Sequence, residues 1–210
     1  MRLTATCVPF RRLLLAKTAG LLCVLCLAAT GLSAQTAPAP AKPEAVAIAW
    51  ANDLDTALKQ ARATRKKLLI SFYAPWCGWC KVMQSKTFPS PDVVQAVNKY
   101  TVAVRINAES RDTLSFLGHR YGYLPEAGMN ELAYQLLSGR RSYPTTVFMS
   151  PNAEVLSPVR GYMSPKAFAA LVKYFGEDAY LFTAWPDYEK AALGAAEANH
   201  GATSDSTRKR

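Results

Sequence analysis

The chain of 210 residues contains only five cysteines and two histidines, and their positions exclude several kinds of chemistry. Cys7, Cys23 and Cys26 fall in the first 34 residues, and His200 lies close to the C-terminus. The body of the chain keeps Cys77, Cys80 and His119. A structural zinc site needs four ligands, usually two cysteine pairs or a pair with two histidines, so zinc is not expected. Covalent haem needs C-x-x-C-H, and Lys81 stands where that histidine would be. Soft-metal handling by two thiols usually recruits a further Cys, Met or His. Met83 is near in sequence, but its place in a helix interior explains it more simply. The expectation is no metal and no cofactor.

A long apolar run is also missing. The stretch around Ala19–Leu32 is uninterrupted for about eleven residues, short of the ~20 that span a bilayer. The first 34 residues carry Arg2, Arg11, Arg12 and Lys17 and no acid, then this apolar core, then small residues ending in "SAQ". That is the pattern of a cleaved signal peptide, residues 1–34, with cleavage after Ala34. It implies a periplasmic or secreted protein rather than a membrane-anchored one. The net charge of +10 is scattered over "RATRKK", "SGRRSY" and "STRKR". It reads as a solvated surface with a basic tail, not as a nucleic-acid interface.

Composition divides the remainder. Residues 35–47, "QTAPAPAKPEAVA", form a Pro/Ala-rich linker. Residues 48–176 are the folded domain, 177–199 a helical C-terminal extension, and 200–210 a disordered basic tail. Within the domain, "NDLDTALKQARATRKK" has apolar positions at helical spacing, with Asn52 or Asp53 as cap. "LLISFYA", 68–74, is a buried strand. "GWCKVMQSKTF" suits a helix stopped by Pro89 and Pro91, and a short helix and the strand "TVAVRIN" follow. Part of 108–128 is expected to be helical, and "MNELAYQLLSG" is a helix ended by Gly139. "TTVFMS" and "EVLSPVRGY" pair as strands. "SPKAFAALVKYF" is a helix with Ser164 as cap and Pro165 at its first position. Strands alternating with helices and closed by a hairpin give an α/β fold with a mixed sheet between two helical layers.

The chemistry centres on "FYAPWCGWCKVM", 72–83. A structural disulfide between Cys77 and Cys80 would close so short a loop that it removes little entropy. Redox exchange fits better. The pair lies where a buried strand becomes a helix, with Cys77 at the helix start, where unpaired N–H groups and the helix dipole favour thiolate. The thiolate is the attacking species in disulfide exchange. Cys80, one turn later, would resolve the mixed disulfide. Gly78 leaves the approach open, and Trp79 between the cysteines bears on the relative stability of the two redox states.

These residues resemble the active-site segment of the thioredoxin superfamily, and "SYPTTVF" resembles its second signature, a cis-proline that opens a strand. The resemblance covers residues 48–176. It is nearest to exported thioredoxin-like proteins related to the soluble domains of thiol:disulfide interchange proteins. It implies a three-layer α/β/α sandwich with an insertion, residues 109–128, before the strand of Pro144. It implies Cys77 as attacking and Cys80 as resolving cysteine. Trp76, Gly78, Trp79, Tyr143 and Pro144 are implied on the substrate-binding side, with Tyr143 facing the substrate backbone. Arg105 stands where thioredoxins place a lysine near a buried acid. The departures are Ser71 in place of that acid and Trp79 in place of proline. Proton transfer from Cys80 would then use water, Glu109 or another group. The expected function is an exported thiol–disulfide oxidoreductase of protein clients in the reductase or isomerase direction, fed by a membrane or soluble thiol donor. The alternative is a client-binding or chaperone module in which redox turnover is incidental.

Overall fold

The computed structural model describes residues 47–194. The expected signal peptide, nearly all of the linker, residues 195–199 of the extension and the basic tail lie outside them.

Strand β2 (Lys67–Tyr73) is buried along its length except at Tyr73. Its run of Leu, Ile and Phe requires a sheet with both faces covered. It sits in the middle of a five-stranded sheet, in the order β1 (Trp50–Ala51), β3 (Thr101–Asn107), β2, β8 (Thr145–Met149), β9 (Val155–Arg160). β2 pairs with β3 in parallel and with β8 antiparallel, and β9 closes the sheet as a hairpin with β8. The parallel pair needs a crossover. It is supplied by α2 (Gly78–Val82) and α3 (Pro91–Tyr100). One face buries Leu68, Ile70 and Phe72 under α1 (Leu54–Thr64) and α4 (Glu131–Leu136). The other buries Leu69, Ala103 and Phe148 under α3 and α5 (Pro165–Gly176). The architecture is therefore the mixed α/β sandwich that the sequence implied.

The caps follow from the residue types. Asp53, rather than Asn52, caps α1, accepting from the Thr56 N–H at 2.7 Å. Ser164 accepts from the Ala167 N–H, and Pro165 opens α5. After α2 the chain widens at Met83–Thr87 into a π-type turn, in which the Phe88 N–H reaches the Met83 carbonyl at 3.0 Å. The extra residue lets Thr87 donate to the Met163 carbonyl at 2.7 Å and sets Phe88 against Trp50 and Phe168.

The insertion differs from expectation. No helix forms between 109 and 128. Residues 114–130 instead make two small hairpins, β4 (Leu114–Phe116) with β5 (His119–Tyr121) and β6 (Tyr123–Leu124) with β7 (Met129–Asn130). The first turns through Leu117 and Gly118, both at positive φ (56° and 77°), the twist that two-residue hairpin turns favour. Leucine is a poor choice there. The strain is offset by Asp55 on α1, which accepts the Leu117 N–H at 3.0 Å. Phe116 is buried in the core beneath α1. Helix α4 is correspondingly shorter than "MNELAYQLLSG" suggests, because Met129 and Asn130 belong to β7 and Asn130 caps the helix.

The described part of the extension, residues 177–194, is helical in part. A 3₁₀ turn at Ala179–Leu181 precedes helical residues 185–194. Tyr174 of α5 binds it, donating to the Thr183 carbonyl at 2.7 Å and packing on Trp185 and Tyr188. Asp178 pairs with Lys67 at the start of β2, at 2.7 Å.

Helices α3 and α5 meet at Gly176, where an added Cβ would lie 2.4 Å from Tyr100 Cβ. Tyr100 is also held by its hydroxyl, which donates to Glu177. Gly176→Ala should therefore destabilise the fold by about 1–3 kcal/mol through overpacking, although alanine is the better helix former. Urea unfolding of the two proteins measures the difference, and a stabilised variant would contradict the close approach.

Candidate active site

The end of β2 fixes the site. After Tyr73 the chain turns sharply, and the Cys77 N–H donates to the Ala74 carbonyl at 3.1 Å. Cys77 then caps α2 in extended conformation, and the Cys80 N–H points at its Sγ at 3.1 Å. The two cysteines are joined as a disulfide with Cα atoms 5.3 Å apart. They are 4% exposed each, whereas Trp76 and Trp79 are 62% and 61% exposed. The sulfurs thus lie in a shallow well between two projecting indoles. A Cβ at Gly78 would meet nothing within 4 Å, so the rim between the indoles is open.

The loop before β8 forms the facing wall. The Tyr143–Pro144 peptide bond is cis. Pro144 is buried, and its carbonyl accepts the Gly161 N–H at 2.8 Å. Tyr143 packs against the small cluster of Ala74, Cys77 and Cys80 and meets Trp76 edge-on at 5.9 Å. Among the described residues, the Tyr143 backbone N–H and C=O make no hydrogen bond. Trp79 leans on Tyr162, ring centroids 5.2 Å apart.

Glu109, a candidate proton acceptor in the sequence, has both carboxylate oxygens engaged elsewhere. Oε2 accepts from the Trp76 indole at 2.8 Å, and Oε1 accepts from Arg141 Nε at 3.0 Å and from its Nη2. It ties the insertion to the active-site turn and to the Pro144 loop. Ser71 is buried and in register with Arg105 across β2 and β3. The Arg105 guanidinium is half-buried over the rings of Tyr73, Trp50 and Phe88, at 4.7, 5.8 and 5.7 Å. It donates to Gln84 Oε1 at 3.3 Å, while its buried Nε has no partner. Burial lowers its pKa.

All seven residues selected from the sequence fall in this one region. Arg141 and Tyr162 were missed. Arg141 directly precedes "SYPTT" and was legible as a neighbour of the loop. Nothing in "RGYM" signals that Tyr162 reaches Trp79.

The Tyr143 hydroxyl is buried without a hydrogen-bond partner. Burial first, and then the Glu109 charge, push its pKa from an ordinary 10 to about 12. The folded protein holds this proton more tightly than the unfolded chain. The contribution to stability is present below pH 10 and is lost as pH rises towards 12. Spectrophotometric titration of tyrosinate should show a late-ionising phenol that is absent in Tyr143→Phe. In Glu109→Gln the same phenol should ionise at lower pH; an unchanged midpoint would refute the electrostatic coupling.

Comparison with known proteins agrees with this geometry. The family model described as a thioredoxin-like domain matches residues 54–176. The thiol:disulfide interchange protein DsbD of Salmonella paratyphi A is 36% identical over 86 residues, covering 40% of this chain and 15% of that protein. DsbD of Pseudoalteromonas atlantica is 28% identical over 124 residues, covering 58% of this chain and 18% of its own length. The chain thus spans less than a fifth of these curated relatives. A thioredoxin-fold protein from Helicobacter pylori superimposes with a TM-score of 0.51 at 16% identity, covering 63% of this chain and 87% of that one. With the family model matching more than half of its length around a C-x-x-C turn and a cis-proline loop, the chain belongs to the thioredoxin-like family.

Proposed function

We propose that the protein is a thiol–disulfide oxidoreductase acting on protein clients, with Cys77 as attacking and Cys80 as resolving cysteine. The observation that carries this reading is the position of the Cys77–Cys80 disulfide at the head of α2, with the Cys80 N–H directed at Cys77 Sγ. In the reduced protein the same N–H stabilises a Cys77 thiolate. That thiolate attacks a client disulfide, a Cys77–client mixed disulfide forms, and one client sulfur leaves and takes a proton. The Cys80 thiolate then attacks Cys77 Sγ, the chain disulfide forms, and the second client sulfur leaves. Two electrons have passed to the client, and a dithiol donor must return them. In isomerisation the released client thiolate instead attacks another client disulfide, the sulfur freed there attacks the Cys77–client bond, and Cys77 leaves as thiolate, so no net electrons move.

The open Tyr143 backbone beside the cysteines supports pairing with an extended client segment, held between Trp76, Trp79 and Pro144 across Gly78. We place the reaction in the reductase or isomerase direction, in keeping with the thiol:disulfide interchange relatives. Residues 48–176 would be the catalytic domain and 177–199 its extension. The signal-like first 34 residues support export to the periplasm or outside the cell. No helix among the described residues is long and apolar enough to cross a membrane. The exposure of Trp76 and Trp79 also favours a second reading, a client-holding module.

Insulin reduction separates the two. Cys77→Ser should lose activity to background, and a client-holding module would retain its effect on aggregation with that variant. Cys80→Ser should accumulate mixed disulfides, seen as adducts on non-reducing gels. Adducts in Cys77→Ser but not in Cys80→Ser would reverse the roles. N-terminal sequencing of protein from its native compartment should begin near Gln35, and an intact Met1 on membrane-bound protein would refute cleavage.

A further inference from the structure

The three loops that surround the disulfide, 74–81, 138–145 and 160–164, contain no Asp or Glu. They carry Lys81, Arg140, Arg141 and Arg160, all exposed. Each is placed beside the well by the backbone. Lys81 follows Cys80, and its N–H donates to the Cys77 carbonyl at 3.3 Å. Arg140 and Arg141 lead into Tyr143. Arg160 lies opposite Thr145 in the β8–β9 ladder, next to Gly161, which binds the Pro144 carbonyl. Among the described residues, the one carboxylate hydrogen-bonded to these loops is Glu109, and Arg141 already occupies it. The remaining cations have no acid with which to pair on the loops that bear them. Apolar surface flanks the sulfurs on both sides: Trp76 with Tyr143 on one, Trp79 with Tyr162 on the other.

We propose that this mouth selects client segments in which the reacting cysteine is bordered by large apolar side chains and flanked, a few residues away, by Asp or Glu. The inference rests on the exchange reading above and gives it a substrate class. The apolar neighbours lie on the two aromatic pairs and shed water there. The acids meet the ring of uncompensated cations. Like-signed charges concentrated at one mouth raise the local concentration of an oppositely charged partner and act chiefly on its rate of encounter. Salt weakens such exposed interactions, since the screening length falls from ~10 Å at 0.1 M to ~3 Å at 1 M. A client with lysines in the same places is repelled.

The test uses reduced full-length protein and disulfide-bridged peptides that differ only in flanking residues. They carry Leu or Ser beside the cysteine, and Asp or Lys two and three residues away. Oxidation of the Cys77–Cys80 couple is followed by fluorescence of the adjacent tryptophans. Uncharged hydroxyethyl disulfide serves as reference. At low salt the Leu–Asp peptide should react at least about tenfold faster than the Leu–Lys peptide, and faster than its Ser–Asp counterpart. The Asp-over-Lys preference should collapse in 1 M salt. It should reverse in the Lys81→Glu/Arg140→Glu/Arg160→Glu variant, whose folding is checked by circular dichroism. Equal rates for Asp and Lys peptides, or a preference that survives salt or charge reversal, overturn the inference while leaving exchange intact. Equal rates for Leu and Ser peptides overturn its apolar part. A wild-type couple inert even to hydroxyethyl disulfide removes the exchange reading itself.

Discussion

The double-sided burial of strand β2 governs the rest of the molecule. Its backbone is hydrogen-bonded on one edge to β3 and on the other to β8. Its side chains alternate between two cores, Leu68, Ile70 and Phe72 on one face and Leu69 on the other. A strand held in this way has no register freedom, because a slip by one residue would exchange its two faces. The point where it stops, Tyr73, is therefore firmly placed. The disulfide turn follows within a few residues, and the partner strand β8 begins directly after the cis-proline loop. Both halves of the candidate site hang from neighbouring ends of the same pair of strands, so the sheet, rather than contacts between the loops, sets the distance across the well.

That dependence also explains which parts of the fold were legible in the sequence. The long apolar strands, the capped helices α1 and α5, and the C-x-x-C turn are local patterns, each written in contiguous residues. The hairpins at 114–130 were not. Their turn puts a leucine at positive φ, which no propensity favours. It persists because Asp55 accepts the Leu117 N–H and Phe116 is buried in the core, both tertiary effects. The two-residue strand β1 is too short to carry a period. The widening after Val82 comes from the demands of Thr87 and Phe88 on distant partners. At the site, the cysteines, both tryptophans and the Tyr-Pro pair lay within two short motifs. Arg141 borders the second motif, but its tie to Glu109 is tertiary, and the approach of Tyr162 to Trp79 depends on how the loops converge.

Ser71 and Arg105 face each other in register across β2 and β3, a buried hydroxyl beside a half-buried guanidinium. Among the described residues, no carboxylate is hydrogen-bonded or ion-paired to either of them, and Arg105 donates to the neutral Gln84. An uncompensated guanidinium is costly to bury, and three aromatic rings offset part of that cost. Glu109 sits instead on the outer rim, where it fixes an indole and an arginine. The carboxylate tied to the site therefore lies at its margin, while β2 and β3 set a neutral hydroxyl and a cation in register.

The outer strands of the sheet have a consequence for how an extended chain can attach. One edge is the two-residue β1, too short to template a partner. The other is β9, interrupted by Pro158, which has no N–H to offer. Both are devices that discourage edge-to-edge aggregation. With the margins blunted, the Tyr143 N–H and C=O, which make no hydrogen bond among the described residues, are backbone groups left open beside the sulfurs. A polypeptide in extended form is thus discouraged from adding to either margin of the sheet.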